Sequence, residues 1–369
     1  MEKEEKYSLK LSIIVPVFNM ADNDKLKWCL DSLVNQSISY SYEIIAVDDC
    51  STDDSPLILK KYADKYADRF VALFSKKNHH QGGAKNIGLA FAKGEWISFI
   101  DADDWVTPDY YDTMIKKAEE TGADMVGCDY QMTMHHNLEP GKYVKNNFET
   151  QSGILDKDKY KLLILDPGSL AVKIFRREII LDGYEKCTQS KMDRFDELAR
   201  IKVFPEDIFY EDNAVVNTWM LRSRHFEYIP KANYYYYQHT DSTVHTISSK
   251  NMQDRMTAGR IILDEARRWK YLEEYYPEIE YKYTVLFYIN TLFSVMPKES
   301  RFPDCYRFTK ALGREMKETF PDFQENPYYQ ERTNPEEKKL IAMQMKSHAL
   351  FYLYYRALWT YRNWKKKRK

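Results

Sequence analysis

The sequence predicts an α/β protein with a mainly parallel sheet flanked by helices, followed by a helical C-terminal region. Strand and helix signals alternate through the first 130 residues with short connections between them, which is typical of a sheet with helices on its faces. Beyond about residue 250 the pattern becomes helical and amphipathic. We therefore expect two domains, residues 1–245 and residues 246–369.

Five apolar runs in the first domain predict the strands. Most of these runs are continuous and rich in β-branched residues, which indicates strands that are covered on both faces. In such a sheet, ligands bind at the carboxyl ends of the strands. The runs cover residues 10–18, 42–49, 69–75, 95–100 and 123–130.

Helix signals separate these runs. Ser55 is an N-cap candidate with proline directly after it, and Gly94 is expected to end a short helix over 82–94. A further helix over 107–122 has Thr107 as its cap and glycine at its end. At the end of the chain, residues 340–369 predict one long aromatic helix with a basic end.

The composition argues against several classes of protein. The formal net charge is −1, so no overall field favours nucleic acid as a partner. The five cysteines include no CxxC pair, which disfavours a disulfide framework or a zinc site. The N-terminus lacks the apolar segment of a signal peptide, and no apolar run approaches the roughly 18 residues of a membrane span. These observations predict a cytoplasmic protein.

Acidic residues follow two of the predicted strands. Asp48 and Asp49 come after the second strand, and Asp101, Asp103 and Asp104 come after the fourth. Two carboxylates separated by one residue can hold a hard divalent cation such as Mg²⁺ or Mn²⁺ and leave room for a diphosphate. An Asp-rich surface turn explains the triplet equally well when it is considered alone.

Three further segments carry candidate chemistry. In "GGAKNIG", glycines allow close backbone approach and Lys85 supplies a cation, although a simple helix start explains the glycines too. Glu211 and Asp212 begin a predicted helix, where carboxylates ordinarily favour the helix dipole but where a general base could also stand. His239 follows an aromatic strand, in a position where a lone histidine is more often structural.

The order of these motifs closely resembles the bacterial family-2 glycosyltransferases, which have the GT-A fold. The series "SIIVPVFN", "VDDCSTDDS", "GGAKNIG", "GEWISFIDADDW", "YEDN" and "YYQHTDST" covers about residues 10–245. The resemblance implies inverting transfer of a sugar from a nucleotide donor, typically UDP-linked, to an acceptor hydroxyl. Cell-surface polysaccharide biosynthesis is the expected setting.

The resemblance also implies roles for particular residues. Asp101 and Asp103 form the DXD motif, with Asp103 the more direct ligand of Mn²⁺ or Mg²⁺ and His239 near the metal. Asp212 matches the catalytic base, with Glu211 beside it. Tyr237 stands where many members have arginine, which puts a cationic clamp on the diphosphate in question. The residues expected to bind the nucleotide are Pro16, Val17, Asn19, Asp49, Lys85, Asp101 and Ala102.

Other hypotheses about function remain open from the sequence. A nucleotidyltransferase would use similar acidic sites, but the expected Gly-rich segment after the first strand is missing. A catalytically silent binding protein could retain the same fold. The tail with Trp359, Tyr361 and Trp364 beside Lys365–Lys369 suits either contact with the inner face of the plasma membrane, where a lipid-linked glycan acceptor would lie, or a packed helix with a solvated end.

Overall fold

The computed structural model describes residues 7–166, 168–181, 203–238, 248–297 and 302–366. The chain divides into two compact units, residues 1–241 and residues 242–369, and each is described by itself below. The predicted fold class is confirmed: a mixed, mostly parallel sheet with flanking helices is followed by a helical region.

The first unit is built on one sheet, with strand order β3-β2-β1-β4-β9-β6-β10-β5. β1, β2, β3 and β4 run parallel, and β9 is antiparallel to its two neighbours. Short strands β7 and β8 pair with β6 and β10. The strands are β1 Leu9–Val17, β2 Tyr42–Asp48, β3 Phe70–Phe74, β4 Gly94–Phe99, β5 Trp105–Val106, β6 Met125–Thr133, β7 Lys142–Val144, β8 Gly153–Ile154, β9 Lys173–Arg176 and β10 His225–Tyr237.

The register brings the carboxyl ends of three strands to one edge of the sheet. Val17 of β1 lies opposite Asp48 of β2, and Ile14 of β1 lies opposite Phe99 of β4. Because these strands are parallel, the segments that leave them all emerge on the same side. The two acidic clusters found in the sequence therefore lie at the same edge.

The helices of the first unit confirm the predicted alternation but move some boundaries. α2 begins at Ser55, which is not its cap, because the Ser55 hydroxyl accepts the Met20 backbone N–H instead. α3 ends at Phe91, and Gly94 starts β4, where a Cβ would meet the Ser12 backbone nitrogen at 2.4 Å. These helices are α1 Lys25–Val34, α2 Ser55–Lys65, α3 His80–Phe91, α4 Tyr110–Thr121, α5 Lys157–Leu165, α6 Arg177–Leu181 and α7 Glu211–Met220.

α4 begins at Tyr110, three residues after the predicted cap Thr107. Its cap position is Asp109, and the Thr107 hydroxyl donates to the Asp109 carboxylate at 2.7 Å. The predicted end is confirmed, because Gly122 adopts φ +74°, a left-handed conformation that glycine takes without strain.

The described part of the second unit is helical. The prediction of a single helix over 340–369 is wrong. Ser347 is extended (φ −156°, ψ 105°) and separates two helices. A π-helical turn lies at Thr284–Ile289. No helix in the described ranges is long and apolar enough to cross a membrane. The helices are α8 Ser249–Arg268, α9 Tyr271–Glu274, α10 Tyr276–Tyr283, α11 Asn290–Val295, α12 Cys305–Thr319, α13 Pro327–Arg332, α14 Pro335–Lys346 and α15 His348–Lys366.

Candidate active site

The loops after β1 and β2 are joined to each other at the carboxyl edge of the sheet. Pro16 and Val17 end β1 as buried residues, whereas Asn19 is exposed. Asn19 adopts φ +53°, its side chain accepts the Thr52 backbone N–H at 2.8 Å, and its own N–H donates to the Ser51 hydroxyl at 2.9 Å. These bonds hold together the two loops that carry residues predicted to bind the nucleotide.

The two aspartates after β2 have different surroundings. Asp49 is buried, and both of its carboxylate oxygens accept the His79 backbone N–H at 2.9 Å, which anchors the start of α3. Asp48 is buried as well, and burial raises its pKa. Its Oδ1 has no hydrogen-bond partner among the described residues. Asp48 was not among the predicted site residues, although the acidic pair in the sequence pointed to it.

The turn after β4 separates the three aspartates of the sequence into two groups. Asp101 and Asp103 are half-buried and flank the buried Ala102, and the Asp104 N–H closes the turn on the Asp101 carbonyl at 3.1 Å. Asp104 is buried and accepts the Tyr234 hydroxyl and the Tyr237 N–H, the latter at 2.9 Å. Asp104 thus fastens the turn to β10, whereas Asp101 and Asp103 remain partly exposed.

A buried ion pair connects α3 to the start of α7. Lys85 Nζ lies 2.6 Å from Glu211 Oε1, and both side chains are almost entirely buried. Burial alone would lower the pKa of Lys85, but the negative charges of Glu211, Asp101 and Asp212 outweigh it and raise that pKa. Burial raises the pKa of Glu211 in spite of Lys85. Lys85 therefore stays charged, because carboxylates from two parts of the chain surround it.

Asp101 takes part in the same electrostatic group. Burial raises its pKa to about 7, Lys85 opposes this shift, and the charges of Asp103, Asp212 and Glu211 add to it. The residues after β4 and those at the start of α7, more than a hundred positions apart in the chain, are thus close enough to influence one another. The structure thus brings two of the predicted metal ligands, Asp101 and Asp103, near the predicted base Asp212.

Asp212 has the exposure that a base acting on an external substrate needs. It is half-buried in the first turn of α7, and its Oδ1 accepts the Asn213 backbone N–H at 2.7 Å and the Asn213 side-chain amide at 2.9 Å. Tyr210 directly before the helix has φ +66°, so the chain turns sharply as it enters α7.

Asn86 holds the segment that leads into α7, a role that no pattern in the sequence indicates. It is fully buried on α3, its Oδ1 accepts the N–H groups of Val203 (3.1 Å) and Phe204 (2.9 Å), and its Nδ2 donates to the Phe204 carbonyl at 2.9 Å. A Cβ on Gly82 would lie 2.0 Å from the Pro205 carbonyl oxygen. The close approach expected of this glycine is therefore made to another part of the chain.

The donor groups at Asp101 and Asp103 suit a hard divalent cation. Both are carboxylates, and the crowding of negative charge around Asp101 is of the kind that a cation relieves. The described residues contain no group of three or more His, Cys, Asp or Glu side chains arranged to hold a metal. The third predicted ligand, His239, lies outside the described residues.

A comparison with the sequence profiles of protein families identifies part of the first unit. Residues 12–180 match the sequence profile of Glycosyl transferase family 2. This segment, a little under half of the chain, belongs to the family. The resemblance noted from the motifs is thereby confirmed.

Relatives of this family 2 protein cover different parts of it. The uncharacterized glycosyltransferase YibD of Escherichia coli is 26% identical over 249 residues, 66% of each chain. A poly(ribitol-phosphate) beta-glucosyltransferase of Bacillus spizizenii is 43% identical over 99 residues, which are 27% of this chain and 15% of that protein. The matched segments thus span less than two thirds of these relatives' own lengths.

The fold extends beyond the family match. The crystal structure of Staphylococcus aureus TarS 1-349 in complex with UDP-GlcNAc aligns with a TM-score of 0.61 and 18% identity, over 92% of each chain. At this identity the likeness concerns the fold alone. It includes most of the described helices after residue 241.

Proposed function

We propose that this family 2 protein is an inverting, hexosyl-transferring glycosyltransferase that uses a nucleotide-diphosphate sugar, with UDP the favoured nucleotide. The observation that supports this most directly is the electrostatic group around Lys85, in which Asp101 and Asp103 after β4 lie near Glu211 and Asp212 of α7. Carboxylates from these two sources would face the two sides of a sugar held between them.

In this proposal the nucleotide lies along the carboxyl edge of β1 and β2. Pro16, Val17 and Asn19 would line its pocket, and Asp49 would contact the base from a position that the His79 N–H already fixes. The free Oδ1 of Asp48 is a second acceptor for a donor group of the ligand. Lys85 would act on the site by its charge, since its ammonium group is held by Glu211.

Asp212 would act as the general base. Its carboxylate takes the proton of the acceptor hydroxyl as that oxygen bonds to the anomeric carbon, while the bond from this carbon to the diphosphate breaks on the opposite face. One displacement gives inversion, and no covalent intermediate is needed. Glu211 beside it would keep Lys85 in place and so maintain the electrostatic balance around Asp101.

Asp101 and Asp103, with Ala102 between them and His239 as a third ligand, would hold Mn²⁺ or Mg²⁺. The cation would neutralise the negative charge that develops on the departing diphosphate. The turn that presents both carboxylates is held by Asp104, so the ligand pair would be fixed by its contacts to β10 before the nucleotide arrives.

The acceptor would be a glycan or lipid-linked glycan of the cell surface. In support, several relatives carry names from this field, among them the minor teichoic acid biosynthesis protein GgaB of Bacillus subtilis, 27% identical over 240 residues. A UDP-sugar donor is supported by structures of TarS with UDP-GlcNAc and with UDP, which share the fold. Such an enzyme would work in the cytoplasm, at the inner face of the plasma membrane.

The change Asp212→Asn tests the assignment of the base. We expect the variant to bind UDP as tightly as the parent and to lose at least about a hundredfold in turnover, since general-base catalysis commonly contributes that much. Asp158→Asn, the same change at an exposed aspartate in the first turn of α5, is the matched control and should keep most activity. Equal turnover in Asp212→Asn and the parent would contradict the assignment of the base. A folded parent that does not bind UDP would favour a catalytically silent binding protein with the GT-A fold.

A further inference from the structure

One side of α15 carries large apolar side chains that are about half exposed or more. Leu350, Leu353, Tyr354, Tyr361 and Trp364 are 57%, 69%, 49%, 57% and 49% exposed, and Ala357 between them is exposed too. With 3.6 residues per turn, these six side chains fall within an arc of about 100° along about 21 Å of helix. We call these six residues the exposed face.

A different side of the same helix already packs within the second unit. Phe351 and Tyr355 are buried, and their rings lie 6.0 Å apart. Trp359 stacks on Tyr355 at 5.9 Å, and Arg362 pairs with Glu336 of α14. The helix is thus held in place largely by its other side, and the exposed face presents its apolar area to the surroundings. Trp359, one of the tail residues for which the sequence left membrane contact and packing open, lies on the packed side.

The charges around the exposed face favour an anionic partner. Residues 348–369 contain seven lysines and arginines and no aspartate or glutamate. Lys365 is exposed and lies next to the arc in the helical projection. Two copies of the chain joined face to face would bring these cations together, and the repulsion would oppose their association.

We propose that the exposed face binds the surface of an anionic lipid bilayer, with α15 lying parallel to the membrane plane. Leucines provide apolar area for the acyl boundary, tyrosine and tryptophan are the residues that favour the membrane interface, and lysines suit the anionic headgroups. Apolar burial and electrostatic attraction then act on the same helix, which is the combination that peripheral attachment requires. This inference does not depend on the proposed transferase activity.

Vesicle co-sedimentation of the full chain tests the proposal. We expect binding to vesicles of phosphatidylcholine with added phosphatidylglycerol and little binding to phosphatidylcholine alone. Leu353→Asp should weaken the partition at least about tenfold, since it removes the burial of one leucine and adds a charge of the wrong sign. Leu57→Asp is the matched control, because Leu57 on α2 is similarly exposed (55%) but lies far from α15 in the chain, and it should bind as the parent does.

A second variant separates the electrostatic contribution. Lys365→Gln should weaken binding to the anionic vesicles about fivefold at low salt, and the loss should shrink as salt is added. The proposal is overturned if the parent does not bind anionic vesicles, or if Leu353→Asp and Leu57→Asp bind equally. It is also overturned if sedimentation velocity reveals a dimer that Leu353→Asp dissociates, since a second copy would then cover the exposed face.

Discussion

The Lys85–Glu211 ion pair offers a sharp test of how the candidate site is assembled. Both side chains are 4% exposed, and their charged atoms are 2.6 Å apart. We consider three variants: Lys85→Met, Glu211→Leu and the double variant. Removing one partner from a buried pair leaves an uncompensated charge and typically costs about 3–5 kcal/mol in the free energy of unfolding.

The neighbours of the pair predict that the two single changes are not equivalent. Without Lys85, the carboxylates of Glu211, Asp101 and Asp212 remain together and lose the cation that they share. Without Glu211, the ammonium of Lys85 keeps the attraction of Asp101 and Asp212. We therefore expect Lys85→Met to be the more destabilising single change, near the upper end of that range. Adding Glu211→Leu to it should recover stability, since one of the crowded carboxylates is then gone.

Urea unfolding of the four proteins at neutral pH provides the measurement. The exposed pair Lys27–Asp24, whose side chains are 51% and 63% exposed, is the control in the same unit, and Lys27→Met should cost less than about 1 kcal/mol. If Lys85→Met costs no more than this control, or if the double variant is less stable than Lys85→Met, the pair is not buried as described. In that case α3 and α7 would not share one electrostatic group.

Three further changes probe the surroundings of the site and the second unit. Asn86→Ala leaves two backbone N–H groups and a carbonyl unpaired in the interior, so we expect a loss of about 3 kcal/mol or more in unfolding free energy and a larger fall in kcat than in nucleotide affinity. Gly82→Ala places a Cβ 2.0 Å from the Pro205 carbonyl oxygen, and thermal unfolding should reveal a destabilisation of about 1–3 kcal/mol. Burial raises the pKa of Glu280 above its ordinary 4.5, so its folded-state charge costs stability as pH rises through that raised pKa; Glu280→Gln, which can still accept from Asn326, should reduce this fall in stability.

Controls make these outcomes decisive. Asn35→Ala removes an exposed asparagine at the end of α1 and should change the unfolding free energy by less than about 1 kcal/mol. Asn86→Ala with the same small effect would argue against the clamp on the segment before α7. Wild-type stability in Gly82→Ala would mean that the backbone there is not packed as described, and an unchanged pH profile in Glu280→Gln would contradict the burial of that carboxylate.

Local patterns in the sequence predicted the parallel part of the sheet, because β1, β2 and β4 are largely apolar runs that are buried on both faces and β3 is a shorter apolar run at the edge. β9 was not predicted from the sequence, because Lys173–Arg176 is short and begins and ends with a cationic residue. Lys173 is nevertheless fully buried, where its ammonium donates to the Ser169 carbonyl at 2.9 Å. Such a strand can be recognised only from its neighbours β4 and β6.

Contacts distant in the chain determined the rest of the site. The three aspartates after β4 look alike in the sequence, and only the bonds of Asp104 to β10 assign it a structural role. Likewise, Asn86 is one polar residue of a short helix until the segment containing Phe204 packs beside it. The roles carried over from the family motifs stay predictions, whereas the proximity of Asp101 to Asp212 is a property of the folded chain.

Calorimetric titration with UDP, GDP and CDP, each with and without Mn²⁺, is the most direct test of the proposed nucleotide site and of its metal. We expect that one nucleotide, UDP in preference, binds, that Mn²⁺ strengthens this binding, and that Asp103→Ala removes the effect of the metal. Binding of no nucleotide by a folded sample would contradict the proposed donor site. Binding that Mn²⁺ does not change, in the parent as in Asp103→Ala, would contradict the role assigned to Asp101 and Asp103.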